Sequence, residues 1–216
     1  MQRILILFSL LLCLGFQAFC FEGIFQIHIV SYYKDVPDSQ YCTWMFKGKQ
    51  VKMTADIHAQ KVHMKLNYVP SLENKKVLLY NEVAAPDGKK YASWLNMNQI
   101  QVDSGKFALR IQVEKTDESE KIAGVQCNKY IVRTDKEVLE LWLYPCDIHL
   151  EPILQYFPNT CFRALVKENI QGFPLRVLTK DFGGSILEKW ETTRVTAEKV
   201  SSESFVLPAG YDLVNF

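Results

Sequence analysis

Residues 44–54 read WMFKGKQVKMT, a stretch in which two strand-like runs flank the turn motif at 47–49. Val51 and Met53 alternate with polar residues, which is the pattern of a strand with one apolar face. A glycine between two such runs is typical of a tight turn. The stretch therefore predicts a β-hairpin, and its apolar face must be covered by other parts of the chain.

The same period-two alternation recurs along most of the chain, and short turn motifs separate the runs. We expect about nine to eleven strands in total. Because short turns join them, the sheet is predicted to be antiparallel. Besides the hairpin, the runs occupy residues 25–29, 61–66, 109–114, 139–143, 175–180 and 186–190, and the turns occupy 86–88, 103–105, 133–136 and 181–184.

Residues 147–170 break the alternation, because their apolar side chains follow helical spacing. Pro152 and Pro158 interrupt the segment, so two short helices, or one helix and a loop, are expected. A weaker helix is predicted over Pro70 to Lys76. This is too little helix to cover about ten strands laid flat. The predicted fold is therefore mainly β, a strongly curled antiparallel half-barrel with a short helical lid, or else a closed barrel.

Residues 1–20 have the layout of a secretory signal: Arg3, an apolar run at 4–16, and Cys20 at the end. The run is too short to cross a bilayer, so no transmembrane segment is expected once the signal is removed. Residues 21–216 are predicted to form one domain, located in the periplasm or secreted. Anchoring as a lipoprotein at Cys20 is disfavoured, because a bulky aromatic residue precedes this cysteine directly.

Charge and composition exclude several classes of partner. The chain has 25 basic and 24 acidic side chains, and without residues 1–20 the two numbers are equal. Nucleic acids and anionic membrane surfaces both favour a basic excess, so neither is expected as a partner. No cofactor is predicted.

Four cysteines follow the signal: Cys42, Cys127, Cys146 and Cys161. An even number in an exported chain permits disulfides, with three connectivities. Cys146 with Cys161 would close a short loop around the helical segment, and Cys42 with Cys127 would link the two halves of the sheet. Buried free thiols fit that second pair equally well.

Motifs for catalysis and for metal binding are missing from the sequence. GxSxG, HExxH, GxGxxG, the P-loop pattern and CxxC do not occur, so we predict that the protein is not an enzyme. His58 and His63 are five residues apart, and on one continuous strand they would point to opposite faces. The sequence therefore predicts no metal site.

Large aromatic and methionine side chains are concentrated in the predicted strands, and such side chains line sites for irregular apolar ligands. The alternative is that they only fill the core. The predicted apolar cavity comprises Phe25, Ile27, Trp44, Phe46, Met53, Met64, Leu66, Leu79 and Leu141, with Ile153, Leu154 and Phe157 as its lid.

Six strings along the chain resemble a family of exported bacterial proteins of unknown function, within the superfamily of the lipoprotein-localisation carriers (LolA/LolB-like). They are FEG at 21–23, KGKQVKM at 47–53, IAGVQCNKY at 122–130, ELWL at 140–143, GFPLR at 172–176 and FVLPAGY at 205–211. The resemblance implies a curled antiparallel sheet, lidded by helices, whose apolar cavity takes acyl chains in the periplasm. A disulfide between Cys146 and Cys161 would depart from this pattern by fastening the lid.

Two functional hypotheses follow. The first is a non-enzymatic envelope protein that holds a lipid acyl chain or another apolar small molecule in its half-barrel. The second is an adaptor with a filled core, which binds an envelope protein partner through an exposed surface or a sheet edge.

Overall fold

A computed structural model describes residues 21–33, 37–59, 62–71, 73–96, 110–148, 150–154, 157 and 159–214. The predicted signal peptide and Cys20 lie outside these residues. The strands are β1 (Gly23–Ser31), β2 (Asp38–Lys47), β3 (Gln50–Ala59), β4 (Val62–Ser71), β5 (Lys76–Asn81), β6 (Lys90–Asn96), β7 (Ile111–Ile122), β8 (Val125–Thr134), β9 (Val138–Tyr144), β10 (Phe173–Lys180), β11 (Ile186–Thr196) and β12 (Tyr211–Leu213). The helices are α1 (Glu151–Leu154), α2 (Thr160–Lys167) and a 3-10 helix (Ser202–Phe205).

All twelve strands belong to one sheet, in the order β12-β6-β5-β4-β3-β2-β1-β11-β10-β9-β8-β7. Its two edges, β12 and β7, do not pair with each other, so the sheet is an open half-barrel and the closed-barrel alternative is wrong. The predicted mainly β fold with a short helical lid is confirmed. The predicted number of strands is too low by at least one. The all-antiparallel prediction also omits the parallel pairing of β12 with β6. Strand β12 has only three residues, which is too short for a period-two alternation to be detected.

The hairpin at 47–49 is confirmed, because β2 and β3 pair antiparallel from Lys47 and Gln50 outward. Gly48 has a φ of +56°, in the left-handed region that favours glycine. Trp44 lies opposite Met53 in the register. This pairing puts both side chains on the inner face of the sheet.

The two helices within 147–170 are also confirmed. Asn159 caps α2, because its side-chain oxygen accepts a hydrogen bond from the Phe162 backbone N–H at 2.8 Å. Phe162 and Leu165 on α2 are completely buried against the inner face of the sheet. The lid is therefore a packed part of the core.

The helix predicted over Pro70–Lys76 is wrong. The strand β4 continues to Ser71, and β5 begins at Lys76. Lys75 between them has a φ of +48°, a turn conformation that a helix does not use. Proline is tolerated near the end of a strand, so its presence there did not distinguish the two structures.

The four cysteines are free thiols in the structure, which does not contain the predicted disulfides. Cys42 on β2 and Cys127 on β8 lie five strand positions apart. This separation is about 24 Å along the sheet, whereas a disulfide needs Cα atoms within about 7 Å. Burial raises the pKa of Cys42 and of Cys146 to about 12, so both thiols stay protonated.

Candidate functional site

The centre of the inner face is filled by aromatic rings. The Phe173 ring stacks on Phe25 with centroids 4.6 Å apart and contacts Phe46 at 5.4 Å and Trp44 at 5.8 Å. All four side chains are buried. These rings therefore occupy the space in which the sequence predicts a cavity.

The predicted lid residues pack against the same face. Phe157 meets Trp44 on β2 and Tyr68 on β4 edge-on, each with centroids 5.2 Å apart. Ile153 on α1 is buried, and Leu154 packs partly buried against the core. The core that includes these side chains also contains the predicted cavity residues Phe25, Ile27, Trp44, Phe46, Met53 and Leu141. Met64 lies opposite Ile57 near the start of β4 and belongs to neither apolar cluster.

Two of the predicted residues, Leu66 and Leu79, line an open space instead. It is a cavity of about 220 Å³ beside β4, β5 and β6, and its walls are mostly apolar. It is larger than the cavity of about 150 Å³ that holds benzene in another protein. It is smaller than the roughly 300 Å³ at which pockets for drug-sized ligands begin. The other lining residues are Tyr80, Asn81, Val83, Ala85, Tyr91, Ala92 and Ser93.

Ser93 is a polar residue in the mostly apolar lining of this cavity. It lies opposite Leu79 in the register and is only 1% exposed. Its Oγ has no hydrogen-bond partner among the described residues. A buried hydroxyl without a partner destabilises a protein, so such a group in a native fold calls for an explanation, for which an ordered water or a bound ligand is a candidate.

We expect the substitution Ser93→Ala to raise the free energy of unfolding by about 1 kcal/mol, because it removes an unsatisfied buried hydroxyl. Urea unfolding measures this change. Ser201→Ala is the matched control. The Ser201 hydroxyl accepts a hydrogen bond from the Glu203 N–H at 3.2 Å, so its loss should be destabilising. A destabilised Ser93→Ala variant would mean that the hydroxyl has a partner after all.

A polar network braces the strands that form the cavity. Lys52 Nζ donates to Tyr80 Oη at 2.8 Å, and Thr54 Oγ1 donates to Asn67 Oδ1 at 2.7 Å. Burial, followed by the charge of Glu82, raises the pKa of Tyr80 to about 12. The phenol is therefore neutral and can accept the lysine's hydrogen bond. These bonds link β3 to β4 and to β5, two of the strands that line the cavity.

A second, more polar pocket of about 250 Å³ lies between α2 and the ends of β9, β10 and β11. Burial raises the pKa of Glu188 in this pocket, and the Trp190 indole N–H donates to its carboxylate at 2.7 Å. This pocket was not predicted from the sequence. Ile186, Glu188 and Trp190 are two residues apart along β11, so their side chains share one face of the strand. A carboxylate on this otherwise apolar face was the sequence signal that could have revealed the pocket.

The protein is thus an open, mostly antiparallel half-barrel with a helical lid and a small apolar cavity. The family described as a domain of unknown function (DUF4412) matches residues 21–148. This match covers more than half of the chain, so the protein belongs to that family. No curated protein matches the chain in sequence. Among the described residues, the helices are all too short or too polar to cross a membrane.

Three solved structures illustrate what the chain is similar to. An uncharacterized conserved protein from Thermus thermophilus has a TM-score of 0.50 at 9% identity, over 89% of this chain and 90% of that one. MucB in the MucA/MucB complex of Pseudomonas aeruginosa has a TM-score of 0.49 at 13% identity, over 90% of this chain and 59% of that one. The chain thus spans about three fifths of the MucB chain. The LolA superfamily protein NE2245 from Nitrosomonas europaea has a TM-score of 0.36 at 10% identity, over 89% of this chain and 92% of that one.

Proposed function

We propose that the protein is a non-enzymatic binding protein of the cell envelope that holds the end of an acyl chain, or an apolar group of similar size. The observation that carries this proposal is the cavity beside Leu66 and Leu79, with the unpartnered hydroxyl of Ser93 in its wall. The hydrocarbon would occupy the cavity.

The volume of the cavity limits the length of chain that enters it. Scaling from the cavity of about 150 Å³ that holds benzene, 220 Å³ accommodates about nine carbon atoms. Removing that many methylene groups from water contributes about 7 kcal/mol before ordering costs are subtracted. A medium-length chain therefore fits, and the remainder of a longer chain would extend out of the cavity.

The aromatic rings at the centre of the inner face lie outside this site, because none of them lines the cavity. Phe25, Trp44 and Phe46 are packed against Phe173, so a ligand would have to displace a ring to reach between them. In this proposal Leu66 and Leu79 contact the ligand directly. Apart from Met64, the other predicted cavity and lid residues belong to or pack against the core of the half-barrel.

A different observation favours the second candidate, an adaptor that binds a protein partner. On the outer face, Trp94 is 44% exposed and lines an open groove of about 620 Å³ together with Val69, Pro70 and Phe205. A large exposed aromatic side chain beside a groove is typical of protein-binding surfaces. This adaptor would need no ligand in the inner cavity.

Export to the periplasm is part of the proposal, because the sequence of residues 1–20 has the layout of a secretory signal. Mass measurement of the protein isolated from the periplasm would test this directly. A chain that begins near residue 21 is expected, and a chain retaining residues 1–20 would contradict export by cleavage.

The decisive experiment is native mass spectrometry of protein purified without detergent, followed by solvent extraction and identification of what is released. We expect one apolar molecule per chain, or one-to-one uptake of added nonanoic acid. A ligand-free mass together with no uptake would reject the binding protein and favour the adaptor.

A further inference from the structure

Three potential metal ligands meet on the outer face of the half-barrel. Asp56 and His58 lie two residues apart on β3, so their side chains share one face. His63 on β4 lies directly opposite His58 in the register. The expectation that His58 and His63 point to opposite faces is wrong, because β3 ends at Ala59 and the chain reverses before β4 begins at Val62.

The two imidazole rings converge on a single carboxylate oxygen. Oδ1 of Asp56 lies 3.1 Å from Nε2 of His58 and 2.9 Å from Nε2 of His63. The rings are stacked, with centroids 4.1 Å apart and an interplanar angle of 12°. One ligand atom from each residue lies within 4.8 Å of the other two.

These distances suit a metal ion at the centre of the three atoms. Zinc binds histidine nitrogen and carboxylate oxygen at about 2.0–2.1 Å, so tetrahedral ligands of one ion lie about 3.3 Å apart. The two Asp56–histidine distances are within about 0.5 Å of that spacing. Small rotations of the side chains would therefore complete the coordination, and water would occupy the fourth position.

The surroundings permit a cation to bind. Lys65 lies opposite Asp56 in the register, but its ammonium group is 2.7 Å from Oε2 of Glu82. Glu82 thereby compensates the positive charge of Lys65, and the Asp56 carboxylate interacts with the two imidazole rings. The side chains of His58 and His63 are 62% and 48% exposed, so an ion can reach them from solvent.

We propose that Asp56, His58 and His63 form a binding site for a divalent transition metal of the zinc class. The ion links β3 to β4 next to the turn of their hairpin. It lies on the outer face, opposite the apolar cavity, so the site is independent of the proposed ligand. A single ion with two histidines and one carboxylate keeps an open position, which a water or a partner's side chain can fill.

The test is a titration of metal-free protein, purified without a histidine tag, with Co²⁺ followed by visible absorption and then with competing Zn²⁺. We expect one Co²⁺ per chain, with the weak bands of nitrogen and oxygen ligands. The strong charge-transfer band of thiolate ligands should be absent, which distinguishes this site from binding at the cysteines. Zn²⁺ should displace Co²⁺ and raise the thermal midpoint of unfolding.

Three variants localise the site. His63→Ala and Asp56→Asn should each weaken Zn²⁺ binding at least tenfold, and far-UV circular dichroism should be unchanged because both residues are at the surface. His28→Ala is the matched control: His28 lies on β1, stacked on Tyr41 at 4.6 Å, and its loss should leave binding unchanged. Absence of Co²⁺ and Zn²⁺ binding, or equal binding by His63→Ala, would overturn the proposal.

Discussion

The substitution Phe173→Ala is expected to lower the free energy of unfolding by about 3–5 kcal/mol, the range for deleting a fully buried phenylalanine ring. The Phe173 side chain is 0% exposed and contacts Phe25, Trp44 and Phe46. Removing the Phe173 ring leaves a void, and the neighbouring side chains on β1 and β2 cannot move far enough to fill it. Urea unfolding followed by tryptophan fluorescence measures the loss, since Trp44 is itself in the cluster.

Phe182→Ala is the matched control for that substitution. Phe182 lies in the turn between β10 and β11 and is 69% exposed, so its removal should change the free energy of unfolding by less than about 0.5 kcal/mol. A loss of less than about 1 kcal/mol in Phe173→Ala would contradict the packed aromatic cluster. The inner face would then have room for a much longer acyl chain.

The period-two alternation was enough to predict which residues share a face. Side chains in a strand alternate strictly, so the parity of a residue number determines its face until a bulge intervenes. Trp44, Phe46 and Met53 were assigned to the inner face in this way, and the structure has them buried there. The half-barrel was predictable for a related reason, because a wide apolar face with little helix must curl.

The division of the inner face into a filled part and a hollow part was not predictable. It depends on which rings meet across the sheet, and Phe25 and Phe173 are neighbours only because β1 and β10 both pair with β11. Alternation carries no information on such distant pairings. The same argument applies to Ser93, whose burial depends on its neighbours on β5.

The metal ligands were missed for a local reason. The residues between His58 and His63 contain neither glycine nor proline, so the sequence carries no strong turn signal there. Without a turn, five-residue spacing places two side chains on opposite faces. With the hairpin, His58 and His63 become a directly opposed pair on one face.

Filling the apolar cavity gives the second large effect, because it removes the proposed binding site without disturbing the core. Ala85 lines the cavity, and its backbone N–H donates to the Lys89 carbonyl at 2.8 Å, a bond that a new side chain does not affect. In Ala85→Phe the new ring would occupy most of the 220 Å³. Uptake of nonanoic acid should therefore fall at least tenfold, a loss of about 1.4 kcal/mol or more in binding free energy.

Ala84→Phe is the control for this substitution, since Ala84 is the exposed neighbour of Ala85 and does not line the cavity. It adds the same ring to the same loop and should leave uptake unchanged, as measured by native mass spectrometry of both variants. Equal uptake by Ala85→Phe and the wild-type protein would show that the ligand binds elsewhere. The outer groove beside Trp94 and the polar pocket beside Glu188 would then be the next sites to test, because the rings around Phe173 already occupy the centre of the inner face.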